Sequence, residues 1–228
     1  MDSKNLVSFI ISTYNGQETL DQAISSILSQ SHINLEILII DDGSTDDSFD
    51  IIQKYANEDK RIKTYKNPKN IGLTKSLNFL IEQAKGEFIA RQDDDDISKE
   101  NRIEKQLDFL IKYNLDAVTS RAKIIGSDNL IPNLSYYFPT KVVIKYKNPF
   151  IHGTLLIKKE ILNGQNNYDE RFYYSQDYKL MTDLIKSNKK IRIIKEPLYL
   201  INMKNNISEI NSSEQEYYAD CVRRNINP

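Results

Sequence analysis

Residues 35–46 read LEILIIDDGSTD, and this stretch decides the fold class. Residues 35–40 form a short, nearly continuous apolar run, which is typical of a strand buried on both faces of a sheet. The run ends in DDGS, after which Ser44 or Thr45 can cap a helix over about residues 46–55. A buried strand that leads directly into a helix predicts a unit of a parallel sheet.

The same alternation runs through the first half of the chain. Apolar runs predict further buried strands at residues 7–12, 62–65 and 87–91. Apolar spacings of three and four residues predict helices at residues 19–29 and 74–83. Together they predict an α/β fold with a Rossmann-like, mostly parallel central sheet and helices on both faces.

The second half is less regular, but neither an internal repeat nor a linker is evident. We therefore predict a single domain over residues 1–228. The expected elements are helices at residues 101–113, 177–187 and 214–224, strands at residues 117–120, 123–125, 151–157 and 191–194, a loop at residues 127–150 and a mobile loop at residues 202–213.

Bulk composition excludes several classes of protein. Charged residues make up 28% of the chain and the net charge is −1, which gives no sign of nucleic-acid binding. The single cysteine, Cys221, excludes an internal disulfide framework and fits a reducing compartment. Neither a signal peptide nor an apolar run of about 18 residues is evident, so we predict no transmembrane segment. The prediction is a cytoplasmic protein, with peripheral association at the cytoplasmic membrane face left open.

Three polar clusters follow predicted strands: TYNG at residues 13–16, DDGS at residues 41–44 and RQDDDDIS at residues 91–98. In open parallel sheets, ligands bind outside the carboxyl ends of the strands, so we expect these clusters to share one cleft. The patterns GxGxxG and GxxxxGK[ST] are absent, and neither acidic segment has the spacing of an EF-hand. A dinucleotide site, a P-loop and an EF-hand are therefore not expected.

The four consecutive aspartates, Asp93 to Asp96, form either a solvated loop or a cation site. Mg²⁺ and Mn²⁺ prefer carboxylate oxygens together with substrate phosphates. In an extended segment, residues two apart project to the same side. Asp93 and Asp95 are therefore expected to form one pair, and Asp94 and Asp96 the other. A bound metal ion and diphosphate would neutralise the repulsion within the run.

These motifs occur in an order and spacing that resemble the family 2 glycosyltransferases, which are inverting enzymes with the GT-A fold. The resemblance covers roughly residues 7–199 and implies one GT-A domain. It implies that residues 1–98 bind the nucleotide sugar and that residues 99–228 bind the acceptor and carry the catalytic base. The matching segments are VSFIISTYNG, EILIIDDGSTDDS, NIGLTKSLN, GEFIARQDDDDIS, NRIEKQ and SQDYKL.

The resemblance also implies roles on the donor side. Tyr14 is expected against the base of the nucleotide sugar, and Asp42 is expected to hold the uracil or the ribose. Asp95 is the expected metal ligand and Asp93 a ribose or metal contact, whereas Asp94 often corresponds to Ala or Ser in the family and has no assigned role. The expected nucleotide-sugar-binding residues are Thr13, Tyr14, Asn15, Asp42, Asn70, Gly72, Lys75, Asp93, Asp94 and Asp96.

On the acceptor side, the resemblance identifies Asp177 as the expected catalytic base. Displacement at an anomeric carbon needs a carboxylate that takes the proton of the acceptor hydroxyl. Gln176 stands where the family has a glutamate. Arg171 is a candidate to orient Asp177 and Arg91 a candidate to pair with the aspartates. His152, which opens the predicted strand HGTLLI, is either structural or a contact to acceptor or phosphate.

Three further features matter for the site. Arg102 is either a surface residue or a brace for the acidic loop. Tyr173 and Tyr174 are candidates for an acceptor platform. Ile201 and Met203 stand where many relatives have an Arg and a His, so a third metal ligand or a phosphate clamp is either missing or supplied elsewhere.

The sequence thus predicts a metal-dependent inverting glycosyltransferase that uses Mn²⁺ or Mg²⁺. It would move a sugar from a nucleoside-diphosphate sugar, in the first place a UDP-sugar, to a hydroxyl of a glycan, glycolipid or glycoprotein. Two alternatives stay open. One is a sugar nucleotidyltransferase, which usually needs a Gly-rich basic loop where this chain has TYNGQETL. The other is a catalytically silent GT-A module that binds sugar nucleotide or a partner.

Overall fold

Four apolar runs form the parallel half of a central sheet. The computed structural model describes residues 5–203 and 212–228. The four strands are β1 (Val7–Thr13), β2 (Leu35–Asp41), β3 (Ile62–Lys66) and β4 (Phe88–Arg91). They pair in the order β3-β2-β1-β4. Every residue of β1, β2 and β4 is buried, as expected for strands covered on both faces.

The remaining strands extend the same sheet and make it mixed. These strands are β5 (Ile97–Ser98), β6 (Ala117–Ile124), β7 (Leu130–Ile131), β8 (Leu156–Lys158) and β9 (Ile191–Ile201). The order continues from β4 through β8, β6 and β9 to β5, with β7 paired to β6. β8 lies antiparallel between β4 and β6, whereas β9 runs parallel to β6.

Helices cover both faces of the sheet and divide the core into two layers. Adjacent residues of β1 show this division, because Phe9 packs into one layer and Ile10 into the other. The predicted α/β sheet with helices on both faces is therefore confirmed. The helices are α1 (Leu20–Leu28), α2 (Ser48–Glu58), α3 (Leu73–Gln83), α4 (Arg102–Lys112), α5 (Thr140–Val143), α6 (Lys159–Asn163), α7 (Gln176–Lys186) and α8 (Ser212–Arg224).

The predicted cap of the second helix was wrong. The helix begins at Ser48 rather than near residue 46, and the hydroxyl of Ser44 accepts a hydrogen bond from the backbone of Asn15 instead. The carboxylate of Asp46 accepts the backbone N–H of Ser48. A local acidic side chain thus satisfies this amide at the helix start.

The back half shows the largest differences from prediction. His152–Thr154 is a 3-10 turn and not the start of a strand, because the N–H of Leu155 bonds the carbonyl of His152. The two short strands predicted over residues 117–125 are the single strand β6, with a register shift at Ser120 and Arg121. The last strand continues to Ile201 rather than ending at residue 194.

The predicted loop at residues 127–150 contains β7, a 3-10 turn at Leu134–Tyr137 and α5. Of the predicted mobile loop, residues 204–211 lie outside the described residues. Within residues 5–203 and 212–228, none of the helices combines the length and the apolarity needed to cross a bilayer.

Candidate active site

Hydrogen bonds join the first two strand exits, as their positions at one sheet edge predict. The backbone N–H of Asn15 donates to the hydroxyl of Ser44 over 2.9 Å. In return, the side-chain oxygen of Asn15 accepts the N–H of Thr45, also over 2.9 Å. Asn15 has a φ of 54°, a left-handed conformation that Asn tolerates well. Tyr14, the residue before Asn15, is 49% exposed.

Asp42 ties the second strand exit to the loop before α3. One carboxylate oxygen accepts the side-chain amide of Asn67 over 2.7 Å and the N–H of Ile71 over 3.0 Å. The other accepts the N–H of Gly72 over 2.9 Å. Asp42 is almost fully buried, so its carboxylate holds this loop against the end of the second strand. Asn70 and Lys75, at either side of Gly72, are exposed.

The aspartate run is a turn and not the extended segment that the predicted pairing assumed. Asp93 bonds Arg91 over 2.6 Å, and Asp94 accepts the hydroxyl of Thr13 over 2.5 Å. Asp96 accepts the backbone N–H of Asn202 over 2.8 Å. Because the chain turns here, neighbouring carboxylates face different parts of the protein, and the third strand exit is linked to the first through Asp94.

Burial and mutual repulsion raise the pKa values of three carboxylates in this turn. Burial, and then the charges of Asp93 and Asp94, raise the pKa of Asp95 to about 7. Burial also raises the pKa of Asp94, although its hydrogen bond with Thr13 opposes this. The pKa of Asp96 is raised by burial and then by Asp93 and Asp95. A nearby cation favours the charged form of such carboxylates, and carboxylate oxygens are ligands that Mg²⁺ and Mn²⁺ prefer.

A buried arginine braces this acidic turn, which is the second of the two roles predicted for Arg102. Its guanidinium is fully buried and donates to the side chain of Gln92, the hydroxyl of Ser98 and the carbonyl of Arg91, at 2.7 to 3.1 Å. Its centre lies 5.0 Å from the ring of Tyr199. The hydroxyl of Tyr199 in turn accepts the backbone N–H of Asp93 over 3.1 Å. Gln92, Ser98 and Tyr199 were not among the predicted site residues.

On the acceptor side, Asp177 lies in the first turn of α7. One oxygen of its carboxylate accepts the side-chain amide of Asn148 over 2.8 Å. The expected contact with Arg171 is not made, because the guanidinium of Arg171 pairs with Asp169 on the surface over 2.7 Å. Asn148 therefore takes the orienting position, and Gln176 is buried at the start of the helix.

A histidine–tyrosine pair lies near the acidic turn, because a β-carbon placed at Gly153, the neighbour of His152, would lie 2.5 Å from the carboxylate of Asp93. Nε2 of His152 is 2.7 Å from the hydroxyl of Tyr168. Burial and the charge of Arg91 lower the pKa of His152, so the imidazole is neutral near pH 7. The charges of Arg91, Asp177 and Asp93 all act on this pair.

Tyr173 packs against the loop that Asp42 holds. A β-carbon placed at Gly72 would lie 2.7 Å from the Tyr173 ring, so only glycine allows this approach. Tyr173 is 52% exposed and lies edge to face with Tyr174, at 5.0 Å between ring centroids. Of the two positions that depart from many relatives, Ile201 is half-buried in β9 and Met203 is exposed.

We expect Gly72→Ala to lower the free energy of unfolding by about 1 to 3 kcal/mol, because Gly72 has a φ of 95° and a ψ of 151°, a region open almost only to glycine. The clash with Tyr173 should add to this loss and weaken nucleotide binding. Urea unfolding and calorimetry measure the two effects. Gly126→Ala is the control, since Gly126 also has a positive φ, of 77°, but open space around it. Equal losses in the two variants would contradict a role for the Tyr173 contact.

Comparison with known proteins identifies the family to which this arrangement belongs. Residues 8–165 match the family model described as glycosyl transferase family 2. The chain belongs to this family. The resemblance predicted from the motifs is therefore confirmed.

Two curated relatives and one solved structure illustrate the similarity. Putative glycosyltransferase EpsE of Bacillus subtilis (strain 168) is 36% identical over 74% of this chain, and the chain spans 62% of EpsE. A second relative is WfgD of Escherichia coli, named as a UDP-Glc:alpha-D-GlcNAc-diphosphoundecaprenol beta-1,3-glucosyltransferase. It is 30% identical over 80% of this chain, and the match covers 71% of the length of WfgD. S. aureus TarS 1–349 in complex with UDP-GlcNAc superposes with a TM-score of 0.79 at 19% identity, over 95% of this chain and 65% of TarS 1–349. The TarS match confirms the predicted GT-A fold.

Proposed function

We propose that this protein transfers a sugar from a UDP-sugar to an acceptor hydroxyl with inversion at the anomeric carbon, with Mn²⁺ or Mg²⁺ as cofactor. One observation carries the proposal. The hydrogen bonds from Asn15 to Ser44 and from Thr13 to Asp94 bring the three polar strand exits together at one sheet edge. Ligands bind at such an edge in open parallel sheets, so a nucleotide sugar can lie there beside the acidic turn.

On the donor side, we propose that Asp95 and Asp93 hold the metal ion. Bound there, the ion would neutralise charge on the departing diphosphate. Within residues 5–203 and 212–228, no three or more acidic, histidine or cysteine side chains are arranged to hold a metal by themselves. Mg²⁺ and Mn²⁺ commonly bind through one or two carboxylates plus substrate phosphates. We therefore propose that ion and donor bind together.

The nucleoside would lie along the edge formed by the first two strand exits. The exposed ring of Tyr14 would stack on the base, in the manner of other aromatic side chains that bind bases. Asp42, Thr13 and Asp94 support this edge through the hydrogen bonds to the loop at residues 67–72 and to each other. Asn15, Asn70 and Lys75 are the polar side chains that we place around the donor.

Asp177 would take the proton of the acceptor hydroxyl. The acceptor oxygen then forms its bond to the anomeric carbon while the bond from that carbon to the diphosphate breaks, and UDP leaves with the bonding electron pair. The transition state is oxocarbenium-like. The amide of Asn148 holds one oxygen of Asp177 and leaves the other for the acceptor. The product would have a β linkage when the donor is α-linked.

The names of the relatives support a proposal for the donor and acceptor classes. The name of WfgD specifies UDP-Glc as donor and a β-1,3 linkage as product. We propose by similarity that this protein also uses a UDP-sugar and builds a glycan of the cell surface, on a polysaccharide, glycolipid or glycoprotein acceptor at the cytoplasmic side of the membrane.

Titration calorimetry tests the donor proposal. We expect UDP to bind in the presence of Mn²⁺ and to bind at least about tenfold more weakly when EDTA removes the metal, since the ion bridges carboxylate and diphosphate. GDP and CDP under the same conditions control for the base. Asp95→Asn should abolish the metal dependence, whereas Asp47→Asn, an exposed acid at the start of α2, should not. Absence of metal-dependent binding of all three nucleotides would refute the proposal.

A further inference from the structure

An exposed apolar surface lies between β7 and β8, and we call it the 134–147 surface. Within thirteen residues, five large apolar side chains are 51% to 74% exposed: Leu134, Tyr137, Phe138, Val142 and Tyr146. A groove of about 390 Å³ opens among them. Clusters of exposed apolar side chains of this kind mark interaction sites in proteins.

Buried side chains and hydrogen bonds fix the backbone of this segment to the rest of the protein. Val143 and Ile144 point into the protein and are at least nine-tenths buried. The hydroxyl of Tyr178 donates to the carbonyl of Ile144 over 2.7 Å. At the other end, Nε of Arg121 donates to the carbonyl of Pro132 over 3.2 Å. The outward apolar side chains are thus presented by an anchored backbone.

The surface is also basic. Residues 129–159 contain no Asp or Glu, although the chain as a whole has a net charge of −1. Lys141, Lys145 and Lys147 are all exposed around the apolar side chains. The ion pairs found within the described parts of the chain use other lysines. The 134–147 surface therefore combines apolar side chains with positive charge alone.

We propose that the 134–147 surface docks on an anionic lipid bilayer. Its apolar side chains would enter the headgroup boundary while its lysines contact anionic headgroups, as in other proteins that bind at the membrane interface. Tyrosine is enriched at that boundary because its ring is apolar and its hydroxyl polar. A protein partner is a poorer match, since protein interfaces are depleted in lysine.

Docking in this way would bring the acceptor side of the active site to the membrane. Asn148, the residue that follows the surface, donates to Asp177 over 2.8 Å. Acceptors carried on lipid would then reach the base directly. This consequence rests on the proposed function, whereas the docking itself does not.

Sedimentation with vesicles tests the charged part of the surface. The protein is expected to bind vesicles of phosphatidylcholine and phosphatidylglycerol, and to bind vesicles of phosphatidylcholine alone much more weakly. The triple variant Lys141→Gln, Lys145→Gln, Lys147→Gln should bind about 100-fold more weakly, since each lysine near an anionic surface contributes about a factor of five. The control is a triple variant with the same net charge: Lys54→Gln, Lys85→Gln, Lys112→Gln, all exposed elsewhere.

A second pair of variants tests the apolar part. Leu134→Ser with Phe138→Ser should weaken binding to the mixed vesicles at least about tenfold. Ile33→Ser with Ile111→Ser, which are exposed on other faces, is the control. The docking proposal is overturned if the wild type does not bind the mixed vesicles, or if either control set weakens binding as much as its partner set. UDP-sugar hydrolysis without vesicles should be the same in all variants, and its absence in the wild type would count against the proposed function and not against docking.

Discussion

Asp177→Asn is expected to reduce sugar transfer by about 10² to 10⁴-fold, the usual contribution of a positioned general base. The amide keeps the size of the side chain and still offers an oxygen to Asn148, which contacts Asp177 over 2.8 Å. It cannot take a proton from the acceptor hydroxyl. Because Asp177 lies on the acceptor side, binding of UDP with Mn²⁺ should be unchanged.

The measurement combines UDP release from a UDP-sugar with calorimetry of UDP. Asp183→Asn is the matched control, because it makes the same chemical change on the same helix, where Asp183 pairs with Lys179. It should affect turnover little. Full turnover in Asp177→Asn would show that another group is the base. If the wild type itself bound UDP-sugar without any turnover, a catalytically silent module would be the better description.

The front half of the fold could be predicted closely from the sequence. Its strands are buried on both faces and read as unbroken apolar runs, so the four predicted strands lie within two residues of β1 to β4. The rule that ligands bind outside the carboxyl ends of parallel strands then placed three polar clusters together. The hydrogen bonds from Asn15 to Ser44 and from Thr13 to Asp94 confirm that these clusters meet.

The back half could not be predicted as well, because its structure depends on contacts between distant residues. HGTLLI has the composition of a strand, but Thr154 bonds the carbonyls of Ile151 and of Ser120 and stabilises a turn. Tyr199 contacts the acidic turn across more than a hundred residues of chain. Neither contact leaves a periodic signal in the sequence.

Asp94 shows what the structure adds at the level of one residue. The sequence placed it among the nucleotide-sugar-binding residues without a specific role, because the resemblance has Ala or Ser at this position. In the fold, its carboxylate accepts the hydroxyl of buried Thr13 and so links the first strand exit to the acidic turn. Its charge also raises the pKa of Asp95, after the larger effect of burial. The extra acid is therefore part of how this chain builds its donor side.

Arg102→Met is expected to lower the free energy of unfolding by about 3 to 5 kcal/mol, because it leaves buried acceptors without their donor. Those acceptors are the side chains of Gln92 and Gln106, the hydroxyl of Ser98 and the carbonyl of Arg91. Burial is also the main reason that the pKa of Arg102 falls to about 10, which leaves the guanidinium charged at neutral pH. Urea unfolding measures the loss.

Arg102→Lys separates stability from positioning. Lysine keeps the charge but cannot reproduce the planar fork of donors, so the acidic turn should lose its alignment even in the folded protein. Below the unfolding transition, we expect metal-dependent binding of UDP to weaken about tenfold, while binding without metal stays the same. Arg61→Lys is the control, since it loses an equivalent fork to Asp59 at a partly exposed site. If Arg102→Lys bound UDP and Mn²⁺ as tightly as the wild type does, Arg102 would act only in stabilising the fold. Tyr199 and Gln92 would then hold the aspartates in place without it.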